Sequence, residues 1–142
     1  MDKIKRVVIH CSASDNPEQD SLEAIKHLHV APLSEKIQWG NYETHGKNFR
    51  DIGYHYVITK DGVLHKGRPD NIQGAHVSGF NTNSLGVCMS GNKDFTVEQF
   101  KTLIGLKAYL KVKHGYDLEF IGHCDLNLEK TCPNFEVKEV LG

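Results

Sequence analysis

Val7-Val8-Ile9 is an unbroken β-branched run between a largely charged amino terminus and His10. Such side chains lose rotamer freedom in a helix and suit extended backbone. A strand that is apolar at every position, not at alternate ones, must be covered on both faces. Ile4 to His10 therefore predicts a central strand with a layer above and below it, and that strand delivers His10 at its carboxyl end.

The rest of the chain supplies those layers. Asp20 to Val30 reads as a helix capped by Asp20 or Ser21, with Leu22, Ile25 and Leu28-His29 at helical spacing and Pro32 as its stop. Residues 33 to 51, which contain Trp39-Gly40-Asn41 and His45-Gly46-Lys47, read as a long loop near the active site. Tyr54 to Thr59, the Lys60-Asp61-Gly62 turn and Val63 to Lys66 predict a hairpin. Leu85 to Met89 is a further apolar strand. Thr96 then caps the best helix: Gln99 completes a capping box, Phe95 can staple to Phe100, and Phe100, Leu103, Ile104 and Leu110 line one face up to the stop at Gly115. Leu118 to Gly122 predicts a last strand ending at His123. The expected fold class is α/β, one domain over residues 1–142 with a central mixed β-sheet flanked by helices.

Composition narrows the function classes. With 17 basic against 18 acidic side chains in 142 residues, nothing favours a nucleic-acid partner driven by bulk charge. No apolar run reaches transmembrane length, so membrane insertion is not expected, and Val7-Val8-Ile9 is too short for the core of a signal peptide. A monomer is the default. The four cysteines, Cys11, Cys88, Cys124 and Cys132, lack a Cys-x-x-Cys pair and read mostly as free thiols. Nine histidines make metal binding worth testing.

His10 and His123 each fall at the carboxyl end of a predicted buried strand, where open sheets present ligand-binding side chains. Cys132 follows nine residues after His123. Two imidazoles and a thiolate suit zinc and leave a fourth position for water. Taken one at a time, a strand-end histidine is more often a hydrogen-bonded core residue and a lone cysteine a buried apolar one. The residues alone also leave open a metal-free protein in which Cys132 is a nucleophile or pairs with Cys124.

Five runs occur together and in order: Val8-Ile9-His10-Cys11-Ser12-Ala13, Gly53-Tyr54-His55-Tyr56-Val57-Ile58, Gly74-Ala75-His76, Asn81-Thr82-Asn83-Ser84-Leu85-Gly86-Val87, and Gly122-His123 through Lys130-Thr131-Cys132-Pro133. With them the chain resembles the type 2 N-acetylmuramoyl-L-alanine amidases, the family of phage lysozyme-amidases and peptidoglycan recognition proteins. The resemblance spans about residues 4 to 135.

It implies a zinc amidase domain that cuts the amide between N-acetylmuramic acid and L-alanine in peptidoglycan or muropeptides. His10, His123 and Cys132 would be the Zn2+ ligands, Tyr54 and Lys130 the catalytic pair, and His76 a substrate contact. Asn81 and Asn83 are candidate hydrogen-bonding partners for glycan or peptide, although asparagine in such a stretch often serves the turn itself. His55 should face away from Tyr54, and Cys11 and Cys124 away from the metal. Cys132, where the muropeptide-recycling branch tends to have aspartate, places the chain nearer the phage and recognition-protein branch. The expected setting is a phage or prophage endolysin made in the cytoplasm and reaching the wall through a holin or another route. A non-catalytic peptidoglycan-binding module is the alternative.

Overall fold

A computed structural model describes residues 3–142. Its elements are β1 (Arg6–Cys11), α1 (Leu22–Val30), β2 (Lys36–Trp39), β3 (Tyr42–His45), β4 (Tyr56–Ile58), β5 (Leu64–Lys66), β6 (Ser84–Met89), α2 (Val97–His114), β7 (Glu119–Gly122) and α3 (Val137–Leu141), with a 3-10 turn at His123–Asp125. Five strands form a mixed sheet in the order β5-β4-β6-β1-β7. β1 runs parallel to both neighbours, β4 is parallel to β6, and β5 is antiparallel to β4.

Val7, Val8 and Ile9 are fully buried at the centre of this sheet. By alternation Val7 and Ile9 join Leu85, Val87 and Met89 against Leu103, Leu106 and Leu110 of α2 and Val137 of α3. The opposite face packs Val57 and Cys88 on Ile25 and Leu28 of α1 and on Trp39, and Val8 on Val77 and Ile121. Each such aliphatic side chain contributes about 1.5–3 kcal/mol on burial. His10 shares the parity of Val8, so its ring emerges on the α1 side.

Local signals set the helix ends. Ser21 Oγ accepts the Ala24 N–H to cap α1. Thr96 and Gln99 form a reciprocal capping box on α2, Gly115 closes it in the left-handed region, and Phe95 meets Phe100 edge-on at 6.2 Å. The buried face of α2 is Gln99, Leu103, Leu106 and Leu110. Ile104, expected on that face, is 50% exposed, because the stripe runs through positions 99, 103, 106 and 110.

Residues 33 to 51 are not the structureless loop that their polarity suggests. β2 and β3 pair as a separate antiparallel ribbon from Lys36↔His45 to Trp39↔Tyr42. Gly40 takes a positive φ at the first of two turn positions, as a type II′ hairpin turn requires. Ile37 and Trp39 turn inward while Lys36 and Gln38 stay exposed. The predicted β4–β5 hairpin also differs: β4 starts at Tyr56, leaving Tyr54 and His55 just ahead of it. Their backbones are still held, with the His55 N–H donating to the Gly86 carbonyl and the Arg68 N–H to the Tyr54 carbonyl. Among the described residues no helix is long and apolar enough to cross a membrane.

Candidate active site

The register of the sheet brings the two strand-end histidines together. Ile9 lies opposite Gly122 in the β1–β7 pair, so the next residue of each strand, His10 and His123, leaves from neighbouring ends. Their ring centroids are 4.7 Å apart. The loop after His123 folds back through turns, with Leu126 N–H donating to His123 O and Lys130 N–H to Asn127 O, and Cys124 N–H to Cys132 O closes it at 2.9 Å. Cys132 Sγ there accepts the Cys11 backbone N–H at 2.8 Å. Ligand atoms of His10, His123 and Cys132 all lie within 4.8 Å of one another, a donor set able to hold a metal ion.

Electrostatics favour the ligating forms of the imidazoles. Burial, then the neighbouring His76, His123 and His29, hold His10 far below the usual imidazole range. Burial and the Lys130 ammonium depress His123, so both rings offer a lone pair at neutral pH. Cys132 is pushed up by its hydrogen bond with the Cys11 thiol and by burial. All four cysteines are free thiols, so Cys132 is not paired with Cys124 in a disulfide. Cys11 is not among the three converging side chains, but its backbone N–H and its thiol both hydrogen-bond Cys132.

Tyr54 stacks at a tilt on His10, 5.2 Å between centroids. Burial holds its pKa well above the ordinary phenol value, so it keeps its proton and is available as a donor. Lys130 is exposed and close enough to His123 to depress it. His76 lies directly behind His10: its Nδ1 is 2.9 Å from His10 Nε2, and its Nε2 is 3.3 Å from Ser84 Oγ. It fits there because residue 86 is glycine; a Cβ at Gly86 would lie 2.5 Å from the His76 ring. Burial, then His55, keep His76 neutral with a pKa of about 3. His55 is fully buried, with its ring accepting the Gly86 N–H at Nδ1.

The asparagines separate. Asn81 Oδ1 accepts the backbone N–H groups of His76 and Val77, both at 2.9 Å, and so shapes the loop carrying His76. Asn83 adopts φ +60° just ahead of β6, beside Lys5 at the opposite end of the strands from His10. Its Oδ1 is buried with no hydrogen-bond partner among the described residues.

A cleft of about 470 Å³ opens beside the cluster, lined by His29, Lys47, Phe49, Tyr54, His76 and Asn81 among others. Three of these were not singled out from sequence. His29 shares the buried face of α1 with Ile25 and Leu28, a stripe that reads equally well as core. Lys47 and Phe49 are brought in by backbone bonds to Leu28 O and His29 O. The His29 ring sits 5.1 Å from Tyr54 and 5.5 Å from Phe49, and its Nδ1 accepts the Gly53 N–H at 2.8 Å.

Burial and the Lys47 charge lower the His29 pKa from 6.5 to about 4. The unfolded chain therefore takes up this proton first. The stabilisation is complete above pH 6.5 and is lost as pH falls from there toward 4, on the order of 3 kcal/mol in all. Urea unfolding of the wild type and His29→Leu across that range checks this. The stability gap between them should narrow on acidification, and a parallel pH dependence would rule the assignment out.

The fold and this cluster define a candidate metal-binding centre at the carboxyl ends of β1 and β7 in an α/β domain, and comparison with known proteins identifies the family. A family model described as N-acetylmuramoyl-L-alanine amidase matches residues 1–135, so the chain belongs to that family. The chain is similar to the endolysin of Klebsiella phage KP32, 29% identical over 141 residues covering 94% of this chain and 82% of the phage protein. Human peptidoglycan recognition protein 3 is 44% identical over 109 residues, 63% of this chain and 31% of the human one. Among solved structures, an endolysin N-acetylmuramoyl-L-alanine amidase from Clostridium intestinale URNW superposes with a TM-score of 0.75 at 27% identity, over 97% of this chain and 81% of that one.

Proposed function

We propose that the chain hydrolyses the amide between N-acetylmuramic acid and the L-alanine of peptidoglycan stem peptides, as a zinc enzyme of the endolysin type acting on the cell wall. The convergence of His10, His123 and Cys132 ligand atoms within 4.8 Å, beside Tyr54, carries this reading. Two neutral imidazoles and one thiolate would make a three-ligand set, the pattern of catalytic zinc sites, which keep a fourth position open. When bound, zinc supplies a Lewis acid that polarises the scissile carbonyl and makes water nucleophilic near neutral pH.

The chain's own residues do the rest. His76 orients the His10 ring through their 2.9 Å hydrogen bond, the support that ligating histidines commonly have. Tyr54, protonated throughout the physiological range, donates a hydrogen bond that orients the reacting water or carbonyl. Lys130 places a positive charge where the former carbonyl oxygen becomes negative. Phage endolysins and N-acetylmuramoyl-L-alanine amidases among its relatives support peptidoglycan as substrate.

Mass spectrometry of fragments released from walls of known stem type tests this. The expected products are glycan with free lactyl groups and peptides with free L-alanine amino termini, formed with zinc and suppressed by chelator. Binding to walls without such release at any zinc level would show a recognition module instead.

A further inference from the structure

We propose that the cleft walled by the β2–β3 ribbon is a glycan subsite, with Tyr42 as the platform on which a sugar ring stacks. This rests on the amidase reading and adds which half of the substrate lies on which side of the metal ligands. The cleft, about 450 Å³, is lined by Ser14, Asp15, Asn16, Asn41, Tyr42 and Asn92 together with Ala13 and Gly40. It contains no lysine, arginine or histidine. The charge of Asp15 is taken up by Lys60 and by the backbone N–H groups of Asn92, Lys93 and Asp94.

The two clefts differ in kind. The one beside Tyr54 contains Lys47 and imidazoles, suited to the free carboxylates of a stem peptide. The other offers amides and a half-exposed phenol ring, 52% accessible, which is the chemistry that meets hydroxyls, N-acetyl groups and the C–H face of a pyranose. It also abuts the ligand cluster. Asn134, two residues past Cys132, donates to Asn92 O at 2.8 Å and Oδ1 at 3.0 Å, and lies 3.7 Å from Cys11 Sγ.

The wall is held rigidly. Trp39 Nε1 donates to Ser12 O at 2.6 Å, two residues beyond His10. Gln19 accepts from Ser14 Oγ and Gly40 N and donates to Gln38 O, all within 2.7–2.8 Å. The backbone that carries Tyr42, paired with Trp39 across the ribbon, is thereby fixed relative to the strand that carries His10.

The test is an NMR titration of the full chain with two probes: a peptide-free tetrasaccharide of alternating N-acetylglucosamine and N-acetylmuramic acid, and the free stem peptide. The tetrasaccharide should shift the amide signals of Asn41, Tyr42 and Asn92, and Tyr42→Ala should weaken it about tenfold while leaving the peptide's affinity in place. Tyr42→Phe, which keeps the ring, should lose much less. Equal binding of the tetrasaccharide by Tyr42→Ala, or shifts confined to the Lys47 cleft, would overturn the subsite. Loss of the amidase reading shows separately, as absence of wall hydrolysis by the wild type while glycan binding persists.

Discussion

Replacing Cys132 by serine is expected to cut amidase turnover by on the order of a thousandfold or more, because the site loses its one anionic ligand. A serine hydroxyl keeps its proton where a thiol gives it up to a neighbouring cation, so two neutral imidazoles would be left to hold the ion. The fold should survive. Cys132 is only partly buried, and the Cys11 N–H that now reaches its sulfur at 2.8 Å can donate to an oxygen. The check pairs elemental analysis with the wall assay: zinc close to one equivalent in the wild type, far less in Cys132→Ser, and equal melting temperatures of the two in chelator. Full zinc content in an inactive variant would mean that the sulfur acts in some way other than holding the metal.

Lys130→Ala should lower kcat by about a hundredfold to a thousandfold with little change in KM. Lys130 is exposed, and two charges at about 4 Å in water are worth only about 1 kcal/mol. An effect of two to three orders of magnitude therefore requires the bound substrate to shut solvent away from the ammonium, and it appears only where charge develops on the carbonyl oxygen. The measurement is steady-state hydrolysis of a short muropeptide and of wall polymer by the wild type and the variant. A loss confined to KM would assign Lys130 to substrate attraction alone. Thermal stability should be unchanged, since Lys130 contributes one backbone bond, to Asn127 O, and alanine keeps it.

Much of the fold was legible because it rests on local rules. The β1 run has to be buried on both faces, and the Ser21 cap, the Thr96–Gln99 box and Gly115 mark helix ends by chemistry that acts within one turn. The β2–β3 ribbon was missed although Ile37 and Trp39 alternate with polar residues and Gly40-Asn41 turns the chain. Its strands are four residues long, and the ribbon gains stability from Trp39 packing on α1, which no local signal reveals. The five-residue α3 was missed for the same reason: it exists by packing Val137 under the sheet.

For the site, strand-end position and the ordered motifs brought forward the residues that the structure gathers: His10, His123, Cys132, Tyr54 and His76. The His10–His76 bond joins residues 66 apart, and it depends on the loop ahead of β6 that Asn81 shapes. His29 and Lys47 stayed hidden because a helix face and a loop charge have ordinary explanations. Asn83 shows the converse, a motif residue whose place at the far end of β6 takes it away from the cleft.

β2 and β3 hydrogen-bond to one another and contribute no strand to the five-stranded sheet. They are moored to the body by the Trp39 indole and the Gln19 amide. A segment so attached is an exchangeable part: a graft that retains both moorings can alter length, charge or aromatic content without disturbing the strand register that aligns the two imidazoles. Substitutions along this appendage that keep Trp39 and Gly40 are therefore expected to leave unchanged the β1–β7 register that brings His10 and His123 together.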